Sequence, residues 1–163
     1  MNQLELAEFL PNVPTYIEGV RDFRESIPPD PTMGHPGTWA FGYGPALVML
    51  NIGRNAALTI TAGLALGVPF GNDVSHDLNN HNAHTVMVGR LFLKEFEGTG
   101  RGTILMQEIV ECQYLDGGPS TNLLLRIIAR VAAMAGRLSP GRCQVHGGDP
   151  PPDEAELVVL SLA

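Results

Sequence analysis

Cysteine, basic charge and long apolar runs are all scarce in this chain, and each scarcity removes a class of function. The two cysteines, Cys112 and Cys143, stand far apart without CxxC spacing, so they form neither a zinc knuckle nor a dithiol redox pair. The opening MNQLELAEF has no basic stretch leading into an apolar one. With no secretory signal visible, the expectation is a reducing cytoplasm and two free thiols. Lys and Arg number 10 against 17 Asp and Glu, a formal net charge of −7. Phosphate backbones are bound through clustered cations, so nucleic acid is not an expected partner. Arg126, Arg130 and Arg137 recur on one segment, but that spacing reads as a solvated helix face. The longest apolar stretches, such as PALVMLNI and ALTITAGLALGV, are broken by Gly, Thr or Asn well before the roughly 18 residues of a membrane helix. No membrane association is expected.

Catalytic motifs are also missing. There is no GxSxG, no HExxH and no GxxxxGK[ST]. GTGRG at residues 98–102 has no helix after it and reads as a hairpin turn. Glu95, Glu97, Glu108 and Glu111 lie on strands whose alternation turns them outward, where they serve solubility. The densest polar cluster is His76, Asp77, His81 and His84. On a helix Asp77, His81 and His84 fall at i, i+4 and i+7, a weak candidate for a metal site against the simpler reading of a polar solvent face. No cofactor is expected, and the chain is not expected to be an enzyme.

What is present suits one domain of ordinary size with one core. Hydrophobic residues make up 44% and charged residues 17%, which leaves little charge to cover the surface and predicts an apolar area shared with a partner. Residues 2–26 read as helix with a break, on the spacing of Tyr16, Ile17, Val20 and Phe23. The Pro-rich IPPDP then leads into three strands, TWAFGYG, PALVMLNI and ALTITAGLALGV, joined by short turns and therefore antiparallel. In the third, Leu58, Ile60, Ala62, Leu64 and Leu66 alternate with small or weakly polar residues. One face should pack on helices and the other be half covered. A short helix over 72–85, stapled by Val74 and Leu78, precedes two further strands, VGRLFLKEFE and GTILMQEIVECQYL. Gly117-Gly118 then opens the strongest helix, with Gly118 or Ser120 as N-cap, Leu124, Ile127, Ile128, Val131, Ala135 and Leu138 on one stripe, and Pro140-Gly141 just past its end. The class is α+β with an antiparallel sheet packed on helices. The domain spans 1–138. Residues 139–163 form a Gly-, Pro- and acid-rich linker and an apolar tail whose LVVLSLA is expected to dock as a strand or clip, on this domain or a neighbour.

The stretch DLNNHNAHTVMVGRLFLKEF, with the order of elements, resembles the YbjN family and, more remotely, the class I type III secretion chaperones, the Tir chaperone-like domains. The shared motif is Leu78-Asn79 and Asn82 on the short helix, leading into a strand that begins Gly89-Arg90, with TNLLLRIIARVAAMAGRL in the place of the long last helix. The likeness covers residues 14–138. It implies a helix, three strands, a short helix, two strands and a long helix, with Asn79 and Asn82 tying the short helix to the next strand. It also implies a homodimer that binds an extended segment of a partner protein.

From these residues the expected function is a chaperone-like or adaptor domain with a protein or peptide partner. The contacts are sought on the apolar strand parity: Trp39, Val48, Leu50, Ile60, Leu64, Leu91, Leu93, Ile104 and Met106. Trp39, Phe41 and Tyr43 share a face, as core or as an aromatic anchor. Met33, Met49, Met87, Met106 and Met134 suit either an irregular core or an adaptable groove. The alternatives are an accessory subunit that presents a peptide substrate to a separate modifying enzyme, and a small metal- or ligand-binding domain using His81 and His84.

Overall fold

The computed structural model describes residues 1–151 apart from 29, 31, 33, 35, 85–88, 97, 117 and 118, with only the backbone described at Pro119 and Ser120. Expectations placed on Met33, Met87, Glu97, the Gly117-Gly118 opening, the N-cap of the long helix and the tail at 157–163 lie outside the described residues.

The chain opens with α1 (Gln3–Phe9), a 3-10 turn and α2 (Val13–Tyr16). Asn2 and Glu5 cap α1 reciprocally: the Asn2 side chain accepts from the Glu5 amide at 2.9 Å, and the Glu5 carboxylate accepts from the Asn2 amide at 2.7 Å. Four strands follow, β1 (Val20–Ile27), β2 (Thr38–Tyr43), β3 (Ala46–Ile52) and β4 (Ala57–Pro69). Then come α3 (Asn72–His84), β5 (Arg90–Phe96), β6 (Arg101–Glu111) and α4 (Pro119–His146). The six strands make one sheet in the order β1-β2-β3-β4-β6-β5, antiparallel at every pairing. The α+β class with an antiparallel sheet on helices therefore stands. Among the described residues no helix is long and apolar enough to cross a membrane.

Two elements differ from expectation. Residues 20–27 form a strand, where the three-residue spacing of Val20 and Phe23 suggests a helix. In a flat strand residues three apart face opposite ways. Here Asp22 takes φ 51° and the register slips between Arg21 and Arg24, so the extra bulged residue brings Val20 and Phe23 onto the same core. Phe23 stacks on Phe41 with ring centroids 6.0 Å apart. The second difference lies in α4, which continues through Pro140 to His146. A proline there cannot donate to the carbonyl four residues back, which costs about 3 kcal/mol in an isolated helix. Tertiary bonds hold the last turns instead. Ser139 Oγ donates to the Leu64 carbonyl at 2.6 Å, Cys143 Sγ approaches the same oxygen at 3.4 Å, and His146 lies 2.8 Å from Asp77. The boundary expected at residue 138 thus falls inside a helix.

The sheet has two unlike faces. On the first, Phe41, Val48, Leu50, Leu58, Ile60, Leu64, Ile104 and Met106 are sealed beneath Leu124, Ile128, Val131 and Ala135 of α4. Val74 and Leu78 of α3 and Leu6, Leu10 and Val13 at the N-terminus close the same core. The second face carries Leu47, Met49, Phe92 and Leu105 as a separate apolar cluster.

This division predicts unequal costs. Ile128→Ala should lower stability by about 2–5 kcal/mol in urea denaturation, whereas Ile109→Ala, at a 56% exposed site, should fall within about 0.5 kcal/mol of the parent chain.

Candidate functional site

The motif around α3 and β5 builds a junction. Leu78 is buried in the core. The Asn82 amide pairs with both backbone groups of Leu91, donating to its carbonyl at 2.7 Å and accepting from its N–H at 2.8 Å. One side chain thus stands where a neighbouring strand would pair, and blunts the outer edge of β5. Gly89 takes φ 95°, and a Cβ there would stand 2.8 Å from Met106 Cγ; glycine is needed for both reasons. Its amide donates to the Glu108 carboxylate at 2.7 Å. Arg90 and Asn79 are exposed, so of the two asparagines it is Asn82 that ties the helix to the strand.

The three weak metal candidates do not converge. Asp77 turns to the end of α4, where its Oδ2 lies 2.8 Å from His146 Nε2 and 3.2 Å from Arg142 Nε. The Arg142 Nε–H is not aimed at that oxygen, so the contact is an ion pair without a well-directed hydrogen bond. His84 Nδ1 pairs with the Asn80 carbonyl at 2.8 Å. His81 Nε2 is buried and meets no hydrogen-bond partner among the described residues. Burial, and then the Arg142 cation, lower the His81 pKa from 6.5 against an upward pull from Asp77. No group of three His, Cys, Asp or Glu among the described residues is placed to hold a metal ion. The arrangement is a latch between α3 and α4.

The residues chosen as partner contacts occupy the core. Trp39, Val48, Leu50, Ile60, Leu64, Leu91, Ile104 and Met106 are buried, and Leu93 is half-buried against the same cluster. The aromatic-anchor reading falls for the same reason, since Trp39 is 3% exposed and Phe41 fully buried. Choosing the most apolar strand parity selects the face that the chain's own helices need most.

Among the described residues, two adjoining recesses lie on the second face toward β5. One recess of about 370 Å³ is lined by Met49, Asn51, Thr59, Thr61, Phe92, Lys94, Leu105 and Gln107. A second of about 470 Å³ runs past Asn82, Arg90, Phe92, Gln107, Glu108 and Ile109. Phe92 and Gln107 belong to both, so the two adjoin. The floor is apolar at Met49, Phe92, Leu105 and Ile109 and hydrogen-bonding at Asn51, Thr59, Thr61 and Gln107, with Gln107 Nε2 donating to Thr61 Oγ1 at 3.3 Å. Of these, Met49 alone was singled out in the sequence, and only for its flexible side chain. The usable signal is a strand parity that mixes apolar with amide and hydroxyl side chains.

No protein-family model matches this chain, and no curated protein matches it.

Two outcomes follow from the junction and the latch. Asn82→Ala removes both bonds to Leu91 and should cost about 1–3 kcal/mol in chemical denaturation, with Asn82→Asp costing at least as much, because it keeps the acceptor for the Leu91 N–H but sets a carboxylate oxygen against the Leu91 carbonyl. For His81, a folded-state pKa below 6.5 means that the unfolded chain binds more protons as pH falls from 6.5 toward the lowered value. The full contribution is present above 6.5 and is lost on acidification through that window. NMR titration should place the His81 midpoint below that of a histidine in an unfolded peptide, and His81→Gln should flatten the acid side of the stability profile.

Proposed function

We propose that this chain is a non-catalytic, chaperone-like or adaptor domain that holds an extended segment of a partner polypeptide against the second face of its sheet. The observation that carries the reading is the pair of adjoining recesses around Phe92, with their mixed lining. An extended polypeptide turns alternate side chains to one side and offers backbone donors and acceptors along its length. Met49, Phe92 and Ile109 suit the first, and Asn51, Thr59 and Gln107 the second. The unbranched Met49 adapts to different side chains. The acidic balance, a net charge of −7, supports a polypeptide over a nucleic-acid partner. Burial pushes the thiols of Cys112 and Cys143 up, away from the thiolate that a nucleophile requires, and both are free, as a reducing cytoplasm would keep them. The homodimer rests on the likeness in element order to YbjN-like and secretion-chaperone domains, from which this chain differs by the added strand β1.

The test is a photo-crosslinking amino acid placed singly at Met49, Phe92 or Val145 in the native host. A discrete adduct from the first two, mapping to one segment of one partner, with none from Val145, is expected. Equal adducts from all three positions, or none, would contradict the reading. The pair Met49→Glu and Phe92→Glu should weaken the recovered partner's affinity by about tenfold or more, a loss of at least about 1.4 kcal/mol.

A further inference from the structure

We infer that the outer face of α4 docks an acidic polypeptide segment, whose carboxylates pair with Arg126, Arg130 and Arg137. This surface lies on the helix layer, across the sheet from the recesses around Phe92. It therefore stands or falls separately from the reading of those recesses.

The distribution of charge on α4 carries the argument. The helix holds four of the 10 Lys and Arg of the chain and none of its 17 Asp and Glu. Arg142, which turns inward, lies 3.2 Å from Asp77 on α3. Arg126, Arg130 and Arg137 are exposed and meet no carboxylate among the described residues. At 3.6 residues per turn these three fall within about 40° of one another around the helix axis, along about 17 Å of its length. Arg126 and Arg130, four residues apart, repel. Asn122 stands four residues before Arg126, and Ala133 three after Arg130 and four before Arg137. From either position a Glu would pair with these arginines on the helix itself, and the chain places no acid there. The stripe thus opposes the free helix and leaves three guanidinium groups for an outside anion. Between them Ala129 and Ala133 are half-buried, and such short side chains let a second backbone come close.

The chemistry of the occupant follows from the shape and surroundings of the stripe. A second copy related by a two-fold axis on this face would set arginine against arginine. A nucleic-acid duplex spreads its phosphates over a broad cylinder and is held by many cations, whereas this face offers three on a chain of net charge −7. A membrane surface asks for large apolar side chains beside the cations. Here alanines stand between the arginines, and Leu123, 51% exposed, lies at one end. A polypeptide segment is narrow enough to follow one helix, and each of its carboxylates can accept two parallel hydrogen bonds from a guanidinium group.

The experiment titrates the purified, 15N-labelled full chain with a short oligo-L-glutamate peptide. Saturable NMR shifts are expected at the side-chain Nε–H of Arg126, Arg130 and Arg137, weakening as salt is added. Arg126→Gln, Arg130→Gln and Arg137→Gln together should lower the affinity by about tenfold or more. Arg54→Gln, at an exposed site off this helix, should leave it nearly unchanged. The urea midpoint of the triple variant should not fall, since no bond within the chain is lost. Absence of shifts at the three arginines, undiminished binding by the triple variant, or a lowered midpoint overturns the docking face. Tighter binding of a duplex oligonucleotide, or of vesicles containing phosphatidylserine, than of the peptide overturns the choice of an acidic polypeptide.

Discussion

The seating of α4 along β4 fixes what every other part of this protein is free to do. A single sheet has two faces, and the long helix with α3 and the N-terminal turns covers one of them. Leu124, Ile128, Val131 and Ala135 meet Leu58, Ile60 and Leu64 with every one of these side chains fully buried, and burial of each large aliphatic group favours folding by roughly 1.5–3 kcal/mol. The Leu64 carbonyl, held by Ser139 and approached by Cys143, extends the contact past Pro140. That extension brings Arg142 and His146 to Asp77, and so attaches α3 to the end of α4.

From this follows the character of the second face. Among the described residues no helix packs on it, and Leu47, Met49, Phe92 and Leu105 form an apolar cluster there beside Asn51, Thr59 and Gln107. The surface between the adjoining recesses is amphipathic. On the other side of the sheet Asp77, with Arg142 and His146, joins α3 to the end of α4.

How far the sequence could be read depended on whether the deciding contact was local. Strands β2 to β6, helix α3 and the α4 stripe were legible because apolar periodicity and Gly-containing turns decide them within a few residues. The tie from α3 to β5 was expected of Asn79 and Asn82 only through the likeness of their motif, and Asn82 alone makes it. β1 was not legible, because the bulge at Asp22 gives a strand the three-residue spacing of a helix. The end of α4 was not, because its last turns are held by Leu64 and Asp77, the latter 69 positions from His146. Trp39, Ile60 and Met106, expected as partner contacts on apolar parity, are buried in the core, because apolarity is what the core claims first.

The claim that one face is sealed and the other receives polypeptide can be checked on a single sample. Methyl NMR spectra of the labelled chain, recorded alone and with its captured partner segment, report on both faces together. The account predicts shifts at Met49 and Leu105 with Leu50, Ile60 and Leu64 unmoved. Shifts concentrated at the latter three, with Met49 and Leu105 unchanged, would contradict it.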